Sequence, residues 1–314
     1  MLFLADKQDM TCKNCSIKPV YIDESKKKYC SKCFVKYFEA KVFKTIRAYN
    51  LVENSDRIGV GVSGGKDSLT TLHLLNKLAA QRRKLKITAI LIDEGIHGYR
   101  EKTIKDAKRF CKKEDIELYI YSYKKEFGSS LDQAVKKLNS NACAICGVFR
   151  RYLLNRKSRE LGLNKLAVGH NLDDEAQAIL MNQFKNNVGV SARLGPITGI
   201  IKEEKFIPRI KPLYFMTEKE VTIYSYIKGF TTEFSECPNS FDSFRSYVRD
   251  MLNEAESKYP GIKRGVIHSF LEVLPRLKEE QKKTSKMKFC SNCAEPCTGT
   301  ICKACQIMNS LKSV

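Results

Sequence analysis

Ser63-Gly64-Gly65-Lys66-Asp67-Ser68 stands directly after the apolar run Arg57–Val62 (RIGVGV) and opens a stretch, Asp67 to Ala80, with the apolar spacing of a helix. Strand, glycine turn and helix in that order form the first half of a βαβ unit. The residue types suit an anion. Gly64 and Gly65 let the backbone approach closely, and a helix start aims free N–H groups and a positive dipole at the ligand. Ser63 and Ser68 add hydroxyl donors, Lys66 adds a point charge, and Asp67 lies between them. A Walker A loop needs G-x4-G-K-[ST], which is absent, so this is a phosphate cradle of another kind.

Outward from the loop the alternation continues. Lys86–Ile92 (KITAILI) reads as a buried strand, Glu101–Lys113 as a helix and Glu117–Tyr121 as a further strand. Leu131–Leu138 and Cys146–Leu161 have helical spacing, Lys165–Val168 is a short strand, and Asp173–Phe184 returns to helix. Such alternation predicts an α/β fold, a doubly wound parallel sheet with its site at the strands' C-terminal ends. After Thr217 helices dominate: Glu218–Tyr226, Phe241–Lys258 and Gly265–Lys278, with Lys278–Lys288 a charged linker. Asp93, at a strand end, is either a nucleotide contact or a solvated acid. Asp173 reads as a helix N-cap; His170, just ahead of it, either meets a nucleotide or completes a turn.

Thirteen cysteines are present. Cys12-x2-Cys15 with Cys30-x2-Cys33, and Cys290-x2-Cys293 with Cys302-x2-Cys305, are paired knuckles of the kind that make a tetrahedral thiolate site for zinc. Lys-rich segments poor in large apolar residues need such a staple to fold. The expected organisation is a zinc ribbon at 1–40, a phosphate-loop domain at 41–216, a helical RNA-binding region at 217–288 and a second ribbon at 289–314. Met1–Val20 carries no signal-peptide pattern, and apolar runs such as Ile87–Ile92 are too short to span a bilayer, so a soluble cytoplasmic protein without membrane contact is expected. Fifty-six Lys and Arg against 35 Asp and Glu give +21. Spread along the chain, that charge is either a broad phosphate-binding surface or merely a lysine-rich composition.

Cys143-Ala144-Ile145-Cys146-Gly147-Val148-Phe149-Arg150-Arg151 places a further C-x-x-C at a helix start, where the dipole and nearby arginines are expected to lower thiol pKa values. Phe149, Leu153 and Leu154 recur at core spacing. Arg150, Arg151, Arg156, Lys157 and Arg159 leave a basic face, either solvated or set against an RNA backbone. Cys111 reads as a buried small residue. Cys297 is left over, either exchanging with a neighbouring ligand or inert.

SGGKDS resembles the loop of the ATP-pyrophosphatases, which cleave ATP between the α and β phosphates. Gly169-His170-Asn171-Leu172-Asp173-Asp174-Glu175-Ala176-Gln177 is similar to their second signature. Taken with C-x-x-C-G-x-x-R-R, Arg209-Ile210-Lys211-Pro212-Leu213 and the ribbons, the whole chain resembles the tRNA 2-thiouridine synthetases, both wobble-uridine and T-loop thiolases. The resemblance implies ATP-dependent adenylation of a uridine C2 oxygen, then replacement by sulfur. It implies that Gly169 and Asp174 border ATP, with Asp174 orienting the uridine or carrying Mg²⁺, and that Lys66 stabilises phosphate charge. It adds Cys237, in Glu236-Cys237-Pro238, to Cys143 and Cys146. Those three either run a persulfide–disulfide exchange or hold a 4Fe–4S cluster with one iron open, and the resemblance favours the cluster. Sulfur from a thiocarboxylated ubiquitin-like carrier or free sulfide, and a homodimer, are further implications. Cys146–Arg151 is closer to the wobble branch and Tyr152-Leu153-Leu154-Asn155 to the T-loop branch; the wobble position is the expectation. A lysidine synthetase, a noncatalytic zinc-ribbon RNA binder and an iron–sulfur redox protein are the rivals.

Overall fold

A computed structural model describes residues 11–200, 203–230, 237–240, 243–284 and 287–313. Glu236 and the expected helix start at Phe241 lie outside the described residues. A hairpin of β1 (Tyr21–Ile22) and β2 (Lys28–Tyr29) leads into α1 (Ser31–Ala48), which runs straight across the expected boundary at residue 40. Next come β3 (Arg57–Val62), α2 (Lys66–Ala79), β4 (Lys86–Asp93), α3 (Arg100–Lys113), β5 (Leu118–Ser122), α4 (Tyr123–Phe127), α5 (Leu131–Leu138) and α6 (Ala142–Glu160). The sheet is completed through β6 (Lys165–Ala167), α7 (Leu172–Phe184), α8 (Val188–Ser191) and β7 (Arg209–Ile210). Then follow α9 (Glu218–Lys228), α10 (Phe244–Lys258), α11 (Ile262–Thr284), a second hairpin of β8 (Lys288–Phe289) and β9 (Pro296–Cys297), and α12 (Lys303–Ser313).

The five central strands lie in the order β5-β4-β3-β6-β7, all parallel. This is the expected doubly wound sheet. The order reverses beside β3, so the loop after β3 opens at the switch point, where such sheets bind ligands. Ile58, Val60 and Val62 are buried because helices cover both faces of this central strand, which is why its sequence reads as a continuous apolar run rather than an alternation. Leu69, Leu72 and Leu75 of α2 join Phe34, Phe38 and Val42 of α1 and Val221 and Tyr224 of α9 in one core. Ile145, Phe149 and Leu153 of α6 form a second with Ile90, Ile92 and Leu166 of the sheet and with Cys290, Cys302 and Cys305. Both ribbons are therefore built into the body, and burying one side chain such as Phe149 contributes roughly 1.5–3 kcal/mol.

Several helix bounds differ from the sequence reading, and three of the differences bear on the site or the domain order. α6 begins at Ala142, because the Asn141 side chain caps it by accepting from the Ala144 N–H. α7 is capped by Asn171, not by Asp173. The expected linker after Lys278 is largely helical: α11 continues through Pro275 to Thr284.

Candidate functional site

β3 delivers Ser63 to the C-terminal edge of the sheet. Gly64 turns the chain at φ +88° and backs onto Thr103 of α3 with no room for a Cβ, so glycine is required on both counts. Gly65 is the N-cap of α2 and no side chain closes that helix start, which leaves its first-turn N–H groups for an anion. The Ser63 and Ser68 hydroxyls lie 3.1 Å apart, and Ser68 Oγ also donates to the Gly65 carbonyl at 2.9 Å. These hydroxyls shape the loop. Lys66 Nζ donates to Asp67 Oδ2 at 3.1 Å and Glu218 Oε1 at 3.2 Å. Burial works against its charge, but the two carboxylates outweigh burial and raise its pKa, so Lys66 stays cationic. Asp67 moves up as well, because burial exceeds the help it gets from Lys66.

The second motif leans on the first. Gly169 packs against the start of α2, and the Asn171 amide donates to Asp67 Oδ1 at 3.1 Å. Asn171 and Asp174 form a reciprocal capping box: Asn171 Oδ1 accepts from the Asp174 N–H at 3.1 Å, and Asp174 Oδ2 accepts from the Asn171 N–H at 3.2 Å. Asp173, expected as the cap, is instead buried; it accepts from the Glu218 N–H at 2.8 Å and pairs with Lys263, tying α9 and α11 to α7. Burial raises the Asp174 pKa, partly offset by Arg245, whose Nη1 lies 3.7 Å away. His170 Nδ1 sits 3.7 Å from Glu175, which is itself held by Lys211 at 2.7 Å. Desolvation by the neighbouring walls and the positive charge of Lys211 bring the His170 ring, one side of which stays open to solvent, down to about 4, so it is neutral near pH 7. Asp93 Oδ1 accepts from the Gly95 N–H at 2.9 Å and stabilises the turn after β4.

Cys143, Cys146 and Cys237 line one cavity of about 180 Å³, and Ser63, Glu94 and Arg150 line it with them. Cys143 Sγ donates to the Asn239 carbonyl at 3.2 Å, and the Tyr123 hydroxyl donates to the Cys146 carbonyl at 2.9 Å. The expected lowering of thiol pKa does not hold for Cys146. Burial against the cavity wall raises it, and Arg150 offsets only part of that. Cys237 is likewise raised by burial. Because α6 starts at Ala142, Cys146 lies in its second turn, past most of the dipole's reach, and desolvation decides. Three soft sulfur donors lining one open cavity fit an iron–sulfur cluster better than a hard cation.

Cys12, Cys15, Cys30 and Cys33 bring their sulfurs within 4.8 Å of one another, as do Cys290, Cys293, Cys302 and Cys305. These are two four-cysteine metal sites, as expected. Backbone N–H groups point at their sulfurs: Cys302 N–H donates to Cys290 Sγ at 3.2 Å and Cys305 N–H to Cys302 Sγ at 3.4 Å. Cys297 stands outside the second set, its thiol donating to the Gly299 carbonyl at 3.0 Å. Cys111 is buried, which pushes its thiol up to about 11.

The basic face of α6 is smaller than its sequence implies. Lys157 is buried between Glu126 and Glu160 at 3.0 Å each, Arg156 pairs with Glu160 at 2.9 Å, and Arg159 is held by Glu295 of the second ribbon. Arg150 instead turns into the cavity. Sequence reasoning missed Glu94, Arg100, Asn171, Glu218 and Arg245. Glu94 adjoins the flagged Asp93, and Asn171 carried a capping-box spacing with Asp174, so both signals were available.

Among the described residues no helix is long and apolar enough to cross a membrane. The PP-loop domain family matches residues 36–256. The tRNA-5-methyluridine(54) 2-sulfurtransferase of Pyrococcus horikoshii is 36% identical over 306 residues, covering 97% of this chain and 96% of its own. The cytoplasmic tRNA 2-thiolation protein 1 of Laccaria bicolor is 34% identical over 309 residues, covering 96% and 86%. Among solved structures, the U34-tRNA thiolase NcsA from Methanococcus maripaludis, which carries a 4Fe–4S cluster, is 35% identical, with a TM-score of 0.83 over 96% of each chain.

Proposed function

The chain belongs to the PP-loop family of tRNA 2-thiolation proteins, and from that premise we propose that it makes 2-thiouridine at the wobble position of tRNA. ATP bound at Ser63–Ser68 adenylates the uridine C2 oxygen with release of pyrophosphate; sulfur then takes the place of that oxygen and AMP leaves. Lys66 and the α2 N–H groups stabilise phosphate charge, an electrostatic task. Asp174 orients the uridine or holds phosphate-bound Mg²⁺. Zinc occupies both four-cysteine sites.

One observation carries the assignment: Ser63 of the nucleotide loop and the three cysteines line the same cavity. Activation and sulfur delivery can then occur on one bound base, without an exposed adenylate crossing solvent. Cys143, Cys146 and Cys237 would hold a 4Fe–4S cluster by three thiolates, which leaves one iron to bind and activate a sulfur nucleophile. The likeness to a U34 thiolase over 96% of both chains fits the wobble position, and the equal likeness to a uridine-54 sulfurtransferase makes the T-loop the alternative site. An anticodon-loop base also needs less unstacking than one locked in the tRNA elbow. A thiocarboxylated carrier or free sulfide supplies the sulfur, and the reaction runs in the cytoplasm.

Purified protein, tRNA, ATP and sulfide should release AMP and pyrophosphate, and Lys66→Ala should cut that release by about 10²–10³-fold. Mass spectrometry of anticodon-arm and T-arm fragments from cells lacking the protein should show 2-thiouridine missing from the anticodon arm. ADP and orthophosphate as products would sink the adenylation chemistry. Loss from the T-arm alone would move the site and leave the chemistry standing.

A further inference from the structure

Resting on that function, we propose that Glu94 and Arg100 are a positioning pair that couples the adenylating half of the cavity to its sulfur half. β3 and β4 run side by side, with Val62 opposite Leu91, so Ser63 and Glu94 emerge together at the sheet's edge. Carbonyls there have run out of ladder partners. The Arg100 guanidinium supplies the missing donors: it bonds the Ser63 carbonyl at 2.7 Å, the Thr103 hydroxyl at 3.0 Å and the Ile92 carbonyl. Its Nε lies against Glu94 Oε2, and both side chains are 5% exposed. The Glu94 carbonyl accepts from the Leu131 N–H at 2.7 Å, which fixes the start of α5. Its second carboxylate oxygen faces Arg150 Nη1 at 3.8 Å.

Arg100 thus holds the first residue of the nucleotide loop, while Glu94 holds the cation beside Cys146. A buried ion pair is a poor way to gain stability, since apolar residues of similar volume often serve as well. A charge at this place has a further use. It fixes Arg150 within the cavity, where that half-exposed side chain would otherwise swing to solvent. Glu94 therefore acts through Arg150 on sulfur transfer, and Arg100 acts through Ser63 on ATP.

Without the coupling, the adenylated uridine is attacked by water in place of sulfur: the adenylate bond breaks, uridine is restored and AMP is released. The diagnostic quantity is therefore 2-thiouridine formed per AMP released, measured on the full-length protein with its metals, tRNA, ATP and sulfide. Glu94→Gln should raise the KM for ATP, because Arg100 loses the carboxylate that holds it toward Ser63, and should lower that ratio by about tenfold. Arg150→Ala, on a half-exposed side chain, should lower it comparably, and the double variant should be no worse than either single one. Thiolation and AMP release falling in strict proportion in both single variants, or losses that multiply in the double variant, would overturn the coupling. Wild-type protein that forms neither AMP nor 2-thiouridine would instead defeat the underlying function.

Discussion

Gly169 lies against Asp67 so closely that a Cβ on Gly169 would stand 2.8 Å from the Asp67 carbonyl carbon. Residues a hundred positions apart thereby place the two motifs in backbone contact, and the nucleotide loop cannot move without α7. Gly169→Ala should force α2 and β6 apart at a cost of about 1–3 kcal/mol. Thermal unfolding and AMP release should fall together. A variant with wild-type melting temperature and turnover would show that this contact is slack.

Metal content should follow the cysteine groups. Elemental analysis of anaerobically purified protein should give zinc at two per chain, one for each four-cysteine site, together with iron. Serine at Cys143, Cys146 or Cys237 should remove the iron and its broad visible absorbance while zinc stays. Iron retained in those variants while thiolation is lost would favour the persulfide–disulfide route, and retention of both would remove these cysteines from sulfur transfer.

Salt dependence of tRNA affinity should separate the arginines of α6. Arg151 has no acidic partner among the described residues, whereas Lys157 and Arg159 are neutralised by Glu126, Glu160 and Glu295. Arg151→Ala should therefore flatten the plot of log affinity against log salt by about 0.7–0.9, the amount for one phosphate contact. Lys157→Ala and Arg159→Ala should lower stability and leave the slope alone. The opposite pattern would return Arg151 to solvent.

His170 supplies a pH dependence. Its folded value is depressed to about 4 from 6.5, so the unfolded chain binds the extra proton first as pH falls. The stabilisation is fully present above pH 6.5 and is lost progressively down to about 4. His170→Asn should flatten the fall in stability over that window relative to wild type, as measured by denaturant unfolding at a series of pH values. Parallel curves would show that the ring titrates normally.

The sequence by itself determined whatever depends on neighbours along the chain. The Gly-Gly turn between strand and helix specified the loop, the strand–helix alternation specified a parallel sheet, and the C-x-x-C pairs specified two metal sites. Each is a local rule: backbone freedom, periodicity, ligand spacing. Only the tertiary structure decided the charges and the thiols. Arg159 reads as a free cation until Glu295 arrives from the second ribbon, and Cys146 reads as an activated thiol until the cavity wall desolvates it. Asp173 reads as a cap until Lys263 of α11 claims it. Arg100 gives no sign in the sequence that it bridges the ends of two strands. Charge pairing and burial depend on distance in space, and partners separated by a hundred residues leave no periodic or local trace in the order of the chain.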